Sequence, residues 1–213
     1  GEVMNTLDEE GLRENTIVVL TSDNGGMLNR GGQDAFKMGH HMNGDLFGFK
    51  FDAWEGGHRI PFIIRWPGKV KANTVSDQLI SSNLDMVATF ASLFNRKLKK
   101  GEAVDSYNVM PIFLDETSKE IRNEMMIAPN DLRNMALRKG EWMYISAQGG
   151  GGFNAEYRGM HDFGGASATT FTNEKNSDIE NGKIKADAAP AQLYNLKEDL
   201  RQTENLYNKY PEK

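Results

Sequence analysis

Asp23 and Asn24 stand side by side in TSDNGG, residues 21–26, directly after the apolar run TIVVL. A carboxylate and a neutral amide oxygen together suit a hard divalent cation such as calcium. The two glycines after them permit close backbone approach or positive φ. The same letters also make an ordinary turn, since Asn-Gly favours one, and these residues alone leave both readings open. His40 and His41 are adjacent, so in an extended chain their rings point to opposite sides and do not easily share a metal. Cysteine is absent, which excludes disulfides, thiolate metal sites and a cysteine nucleophile within these residues. The GGGG run at 149–152 lacks a following Gly-Lys-Ser/Thr and is not a nucleotide cradle.

The elements that must hold these groups read as follows. EVMNTLDEEGLREN places Val3, Leu7 and Leu12 at roughly helical spacing, with Gly11 as a stop signal. TIVVL is β-branched and reads as a buried strand, so helix and strand together form half of a parallel α/β unit. Residues 21–57 carry many glycines and no convincing long element, which points to a functional connection or disorder. IPFIIRWP, closed by Pro67-Gly68, reads as a second short buried strand. NLDMVATFASLF, residues 83–94, reads as a core helix capped by Ser82 or Asn83. After about residue 101 the short runs MMIAP, MALRKG, EWMYIS and AQLYNL, separated by turns, predict an antiparallel sheet. The expected division is an α/β part over 1–100 and a small α+β part over 101–213. So few strands are too few for a stable open parallel sheet, which predicts that further strands precede this chain.

The composition, 38 % hydrophobic and 26 % charged over 213 residues, is that of a globular chain. A net charge of −5 argues against nucleic acid or an anionic membrane as partner, and RKLKK at 96–100 reads as a solvated helix end. No apolar run approaches the ~20 residues of a spanning helix, and no signal peptide is visible.

A second set of residues adds weight to the metal reading. In GFKFDAWEGGHRIPFIIRWPGKV, Lys50 lies five residues before Glu55-Gly56-Gly57, and Arg59, Pro61 and Trp66-Pro67-Gly68 follow. With SDNG upstream, NGDLFGFK at 43–50, and MALRKGEWMYI and AQLYNLKEDLRQTENLY downstream, the chain resembles the type I, formylglycine-dependent sulfatases of the alkaline-phosphatase superfamily. The resemblance covers nearly the whole chain. It implies the C-terminal portion of an alkaline-phosphatase-like doubly wound sheet followed by a small antiparallel α+β subdomain.

The resemblance also implies roles. Asp23 and Asn24 become two ligands of one calcium ion, and Lys50 binds the sulfate ester, whose oxygens accept charge-assisted hydrogen bonds. His41, Arg59 and His161 become candidate substrate contacts, with Arg59 equally suited to a structural ion pair. Glu55, Gly56 and Gly57 shape the loop, and Glu55 pairs locally. The reaction implied is hydrolysis of a sulfated carbohydrate or aryl sulfate in the periplasm or outside the cell. The C/S-x-P-S/A-R motif that yields formylglycine is absent from these residues, as are the family's other acidic calcium ligands and its leaving-group histidine. The chain is therefore expected to be inactive without the N-terminal half of the same protein. One rival is a phosphodiesterase or phosphonate hydrolase of the superfamily, which typically has Asp-His rather than Asp-Asn after this strand, suited to zinc or manganese. The other is a non-catalytic carbohydrate-binding fragment.

Overall fold

The computed structural model describes residues 1–29, 31–152 and 163–213. Two compact units result, one of Gly1–Asp23 with Pro61–Asn123 and one of Asn24–Ile60 with Glu124–Lys213. Packing thus groups residues 101–123 with the first unit and 24–60 with the second, where the sequence suggests one change near residue 100. Among the described residues no helix is long and apolar enough to cross a membrane.

In the first unit the helix Glu2–Glu9 stops at Gly11, whose φ of 68° lets Leu12 N–H return to Leu7 O at 2.9 Å. β1 (Val18–Thr21) pairs antiparallel with β2 (Phe62–Arg65), and among the described residues no parallel pair forms. Nor is β1 buried, contrary to the reading of TIVVL. Leu20 lies opposite Ile63 and the two are 56 % and 59 % exposed. Among the described residues this ribbon has two strands and packs through one face. Phe62 and Ile64 turn toward the cluster of Val109, Met110 and Phe113, so their neighbours face outward.

The helix Asp85–Leu93 exists, but its buried positions are Asp85 and Thr89. Leu84 occupies the N-cap, and neither Ser82 nor Asn83 caps the helix. Asp85 instead accepts from the Ser81 N–H at 2.7 Å and the Tyr107 N–H at 2.9 Å, and from Arg122 Nε at 3.0 Å. Met86 and Leu93 pack on the apolar cluster, while Val87 is exposed. A buried ion pair therefore anchors a helix that the sequence presents as apolar.

The second unit is built on a sheet. β3 (Glu124–Ile127), β4 (Ala136–Lys139) and β5 (Trp142–Ile145) are successive antiparallel neighbours. After a separate ladder of β6 (Ile179–Glu180) with β7 (Lys183–Ile184), β8 (Gln192–Asn195) returns to pair with β5. This is the antiparallel sheet expected from the strand-like runs. Alternation along the strands puts Ile127, Ala136, Met143, Ile145 and Tyr194 on one face. Phe47, Ala53 and Trp54 cover that face, each buried aromatic side chain contributing roughly 1.5–3 kcal/mol. Trp54 Nε1–H and the Tyr194 hydroxyl both donate to Gln192 Oε1, at 2.9 and 2.7 Å. Segment 47–54, which carries Lys50, is thereby fastened to the sheet.

Candidate functional site

Around Lys50 the side chains of Phe47, Phe49, Ala53 and Trp54 are all buried, and they divide between two cores. Phe49 joins Leu28 and Ala168, whereas the other three join the sheet. This split leaves Lys50 half-buried between them, its Nζ 5.4 Å from the centre of the Phe51 ring. Gly48 and Phe51 both have positive φ, 85° and 87°. For Phe51 that conformation is strained, by on the order of 1–3 kcal/mol, and persists only because the surroundings hold it.

Three glycine-bearing turns meet here. Lys50 N–H donates to Gly26 O at 2.8 Å, and Gly26 N–H donates to Asn43 Oδ1 at 2.6 Å. Asn43 Nδ2 in turn donates to Gly48 O at 2.9 Å, and Gly25 N–H to Gly57 O at 2.9 Å. The backbones touch so closely that a Cβ on Gly25 would stand 1.7 Å from Gly56 O. One on Gly56 would stand 2.1 Å from Gly48 O, and one on Gly57 2.2 Å from Asp52 O. The NGG turn of residues 24–26, the Lys50 turn and the EGG turn are therefore one knot in which these glycines have no substitute.

Glu55 is the ionic centre of that knot. It is fully buried, with Oε2 3.0 Å from Arg59 Nη1 and 3.3 Å from Arg138 Nη1. Its own N–H donates to Gln202 Oε1 at 2.8 Å. Arg138 points inward from β4, so the C-terminal sheet supplies one of the two guanidinium partners. His58 Nε2 lies 2.9 Å from Ala53 O, and burial lowers its pKa, with the Glu55 charge opposing. Arg59 is thus engaged in the structural pair.

Of the remaining sequence candidates, Asn24 opens the second unit, and its Nδ2 donates to Gly25 O at 2.8 Å. Asp23 closes the first unit and is exposed. His41 is exposed, its ring 4.5 Å from that of Phe36. His161 lies outside the described residues. The donor chemistry of Asp23 and Asn24 fits a hard cation, as a partial set. Among the described residues no group of three or more His, Asp or Glu gathers to hold a metal, and calcium takes six to eight oxygens.

Sequence reasoning missed Asn43, Arg138 and Asp52. The first two show their role only when distant segments meet. Asp52 carried a signal, an acid set among aromatic residues in FKFDAWE.

A family model described as Sulfatase matches residues 1–96. The N-acetylgalactosamine-6-O-sulfatase of Bacteroides thetaiotaomicron is 43 % identical over 151 residues, covering 68 % of this chain and 28 % of that protein. The steryl-sulfatase of Rattus norvegicus is 37 % identical over 114 residues, covering 54 % of this chain and 19 % of that one. A solved 6S-sulfatase, from a Bacteroides thetaiotaomicron locus for the metabolism of multiple glycosaminoglycans, superposes with a TM-score of 0.75 at 30 % identity. That match covers 100 % of this chain and 39 % of the solved one. The chain thus spans less than a third of the length of the curated relatives named here.

Proposed function

We propose, for a chain that belongs to the sulfatase family and makes up a C-terminal portion of it, that the whole protein hydrolyses the sulfate ester of a sulfated carbohydrate. Aryl sulfates would serve as simpler substrates. The observation that carries this reading is the knot in which the NGG turn of residues 24–26, the Lys50 turn and the EGG turn are held by glycine-to-backbone contacts. In it Lys50 offers its ammonium to the sulfuryl oxygens, where negative charge accumulates during transfer. The Phe51 ring, its centre 5.4 Å from Nζ, supports that ammonium. Asp23 and Asn24 Oδ1 would contribute two ligands of a calcium ion, the others lying outside these residues. Calcium, when bound, supplies Lewis-acid charge and a template for the ester. Arg59 and His41 are proposed at the edge of the substrate site. The nucleophile of this reading is a formylglycine beyond these residues, and an exported protein belongs to the same proposal.

The test uses the full-length protein carrying formylglycine. Turnover of para-nitrophenyl sulfate and of a 6-O-sulfated hexosamine is expected, with bis-para-nitrophenyl phosphate poor. Lys50→Ala should lower kcat/KM by about 10²- to 10³-fold at unchanged Tm, and chelation of calcium should remove activity reversibly. Preference for the phosphodiester, or a Lys50→Ala enzyme with undiminished kcat/KM, refutes the reading.

A further inference from the structure

Asp52 follows Lys50 by two residues and is 3 % exposed. The groups that act on its carboxyl are main-chain N–H donors and the like-charged Glu174. Oδ2 accepts from the Phe49 N–H at 2.9 Å and Oδ1 from the Gly165 N–H at 2.8 Å, with a further main-chain bond from Gly152. Glycine backbones close around it. A Cβ added to Gly150, Gly152 or Gly164 would stand 2.7, 2.6 or 2.6 Å from a carboxyl oxygen, and one on Gly48 3.1 Å away. The carboxyl thus fills a cage whose walls come from the Lys50 turn and from both described arms of the glycine-rich segment.

The Lys50 turn is held again on either side of Asp52, once by the glycine-rich segment and once by the loop after β3. Ala53 N–H donates to Gly150 O at 2.6 Å, and Asn130 N–H donates to Phe51 O at 3.1 Å. Phe51, whose carbonyl is one of these anchors, is held in its left-handed conformation. A lysine ammonium rides on a flexible four-carbon stem, so its reach depends on how firmly its root is fixed. Released from its clamp, Phe51 would relax toward negative φ and rotate the Lys50 root with it.

We propose that Asp52 is a positioning residue for Lys50: its carboxyl fastens the Lys50 turn to the glycine-rich segment, which thereby takes part in setting where the ammonium stands. The proposal rests on the sulfatase reading for its catalytic consequence, but the clamp itself is observable without turnover. It also gives a purpose to Gly150, Gly152 and Gly164, which leave room for one buried carboxyl.

The experiment is a double-mutant cycle in the full-length protein with para-nitrophenyl sulfate. Assayed above about pH 7, where the carboxyl is ionised, Asp52→Asn keeps the shape but turns one acceptor into a donor facing an N–H. It should lower kcat/KM at least tenfold, and Lys50→Ala/Asp52→Asn should be no worse than Lys50→Ala alone. Losses that multiply would mean that Asp52 acts independently of Lys50 and would overturn the proposal. Should Asp52→Asn fail to fold, Gly152→Ala presses a methyl against Oδ1 without a positive-φ penalty, and the same cycle applies. Hydrogen exchange reads the clamp directly: the amides of Phe49 and Gly165 should lose protection in the variant, and unchanged protection overturns the clamp. Lost protection in a protein whose wild type turns over no sulfate ester would sink the sulfatase reading and leave the clamp standing.

Discussion

Replacing Glu55 by glutamine tests the ionic centre of the knot. The carboxylate is fully buried and faces Arg59 at 3.0 Å and Arg138 at 3.3 Å. The two partners differ in what they can do once the charge is gone. Arg59 keeps 45 % of its side-chain surface exposed and can swing toward water, whereas Arg138 keeps 20 % and projects from the inner face of β4. Most of the loss therefore comes from Arg138, left with a guanidinium short of a counter-charge. Breaking a buried pair by removing one partner costs about 3–5 kcal/mol. Glutamine retains an oxygen that accepts from one guanidinium, which brings the expectation for Glu55→Gln to about 2–4 kcal/mol. Arg59→Ala, which removes the half-exposed partner, should cost only about 0.5–1 kcal/mol. Urea denaturation of the full-length protein measures both. If Glu55→Gln costs no more than Arg59→Ala, Arg138 does not depend on Glu55 and the account of the EGG turn is wrong.

Two further outcomes follow from the buried carboxyls. Burial pushes Asp52 up to about 7 against the N–H groups of Phe49 and Gly165, and burial pushes Glu174 to about 7 as well. A native pKa above the unfolded 3.8 means that the folded protein keeps this proton between roughly pH 4 and 7 while the unfolded chain has lost it. Stability contributed by Asp52 therefore falls as pH rises through that window and levels off above it. Asp52→Asn lacks this titration, so its stability relative to wild type should improve from pH 4 to 7, by at most about 4 kcal/mol. A difference that stays constant with pH contradicts the assignment. In the first unit, Arg122→Ala leaves Asp85 buried and short of its guanidinium, and should cost about 3–5 kcal/mol by denaturation. A cost below about 1 kcal/mol would show that the main-chain donors Ser81 and Tyr107 suffice.

Local signals were read correctly where local forces decide. Gly11 stops its helix because it adopts positive φ, and the strand-like run EWMYIS becomes β5, with Met143 and Ile145 inward and Tyr144 outward. The apolar letters of TIVVL fit a strand covered on both faces, whereas in the described residues its one partner is β2. The helix at 85–93 is legible in its sequence, but its buried face is not, since Arg122 stands 37 residues away from Asp85.

The sequence by itself determined the order and spacing of DNGG, Lys50 and EGG, the helix stop and the runs that become the C-terminal sheet. These are properties of a few neighbouring residues, governed by backbone sterics and short-range pattern. Only the tertiary structure decided that Arg138 meets Glu55 across 83 positions, and that Asp52 is caged by a segment reaching Gly165, 113 positions on. Such contacts follow from strand register and from which backbones can approach, and no local preference encodes either.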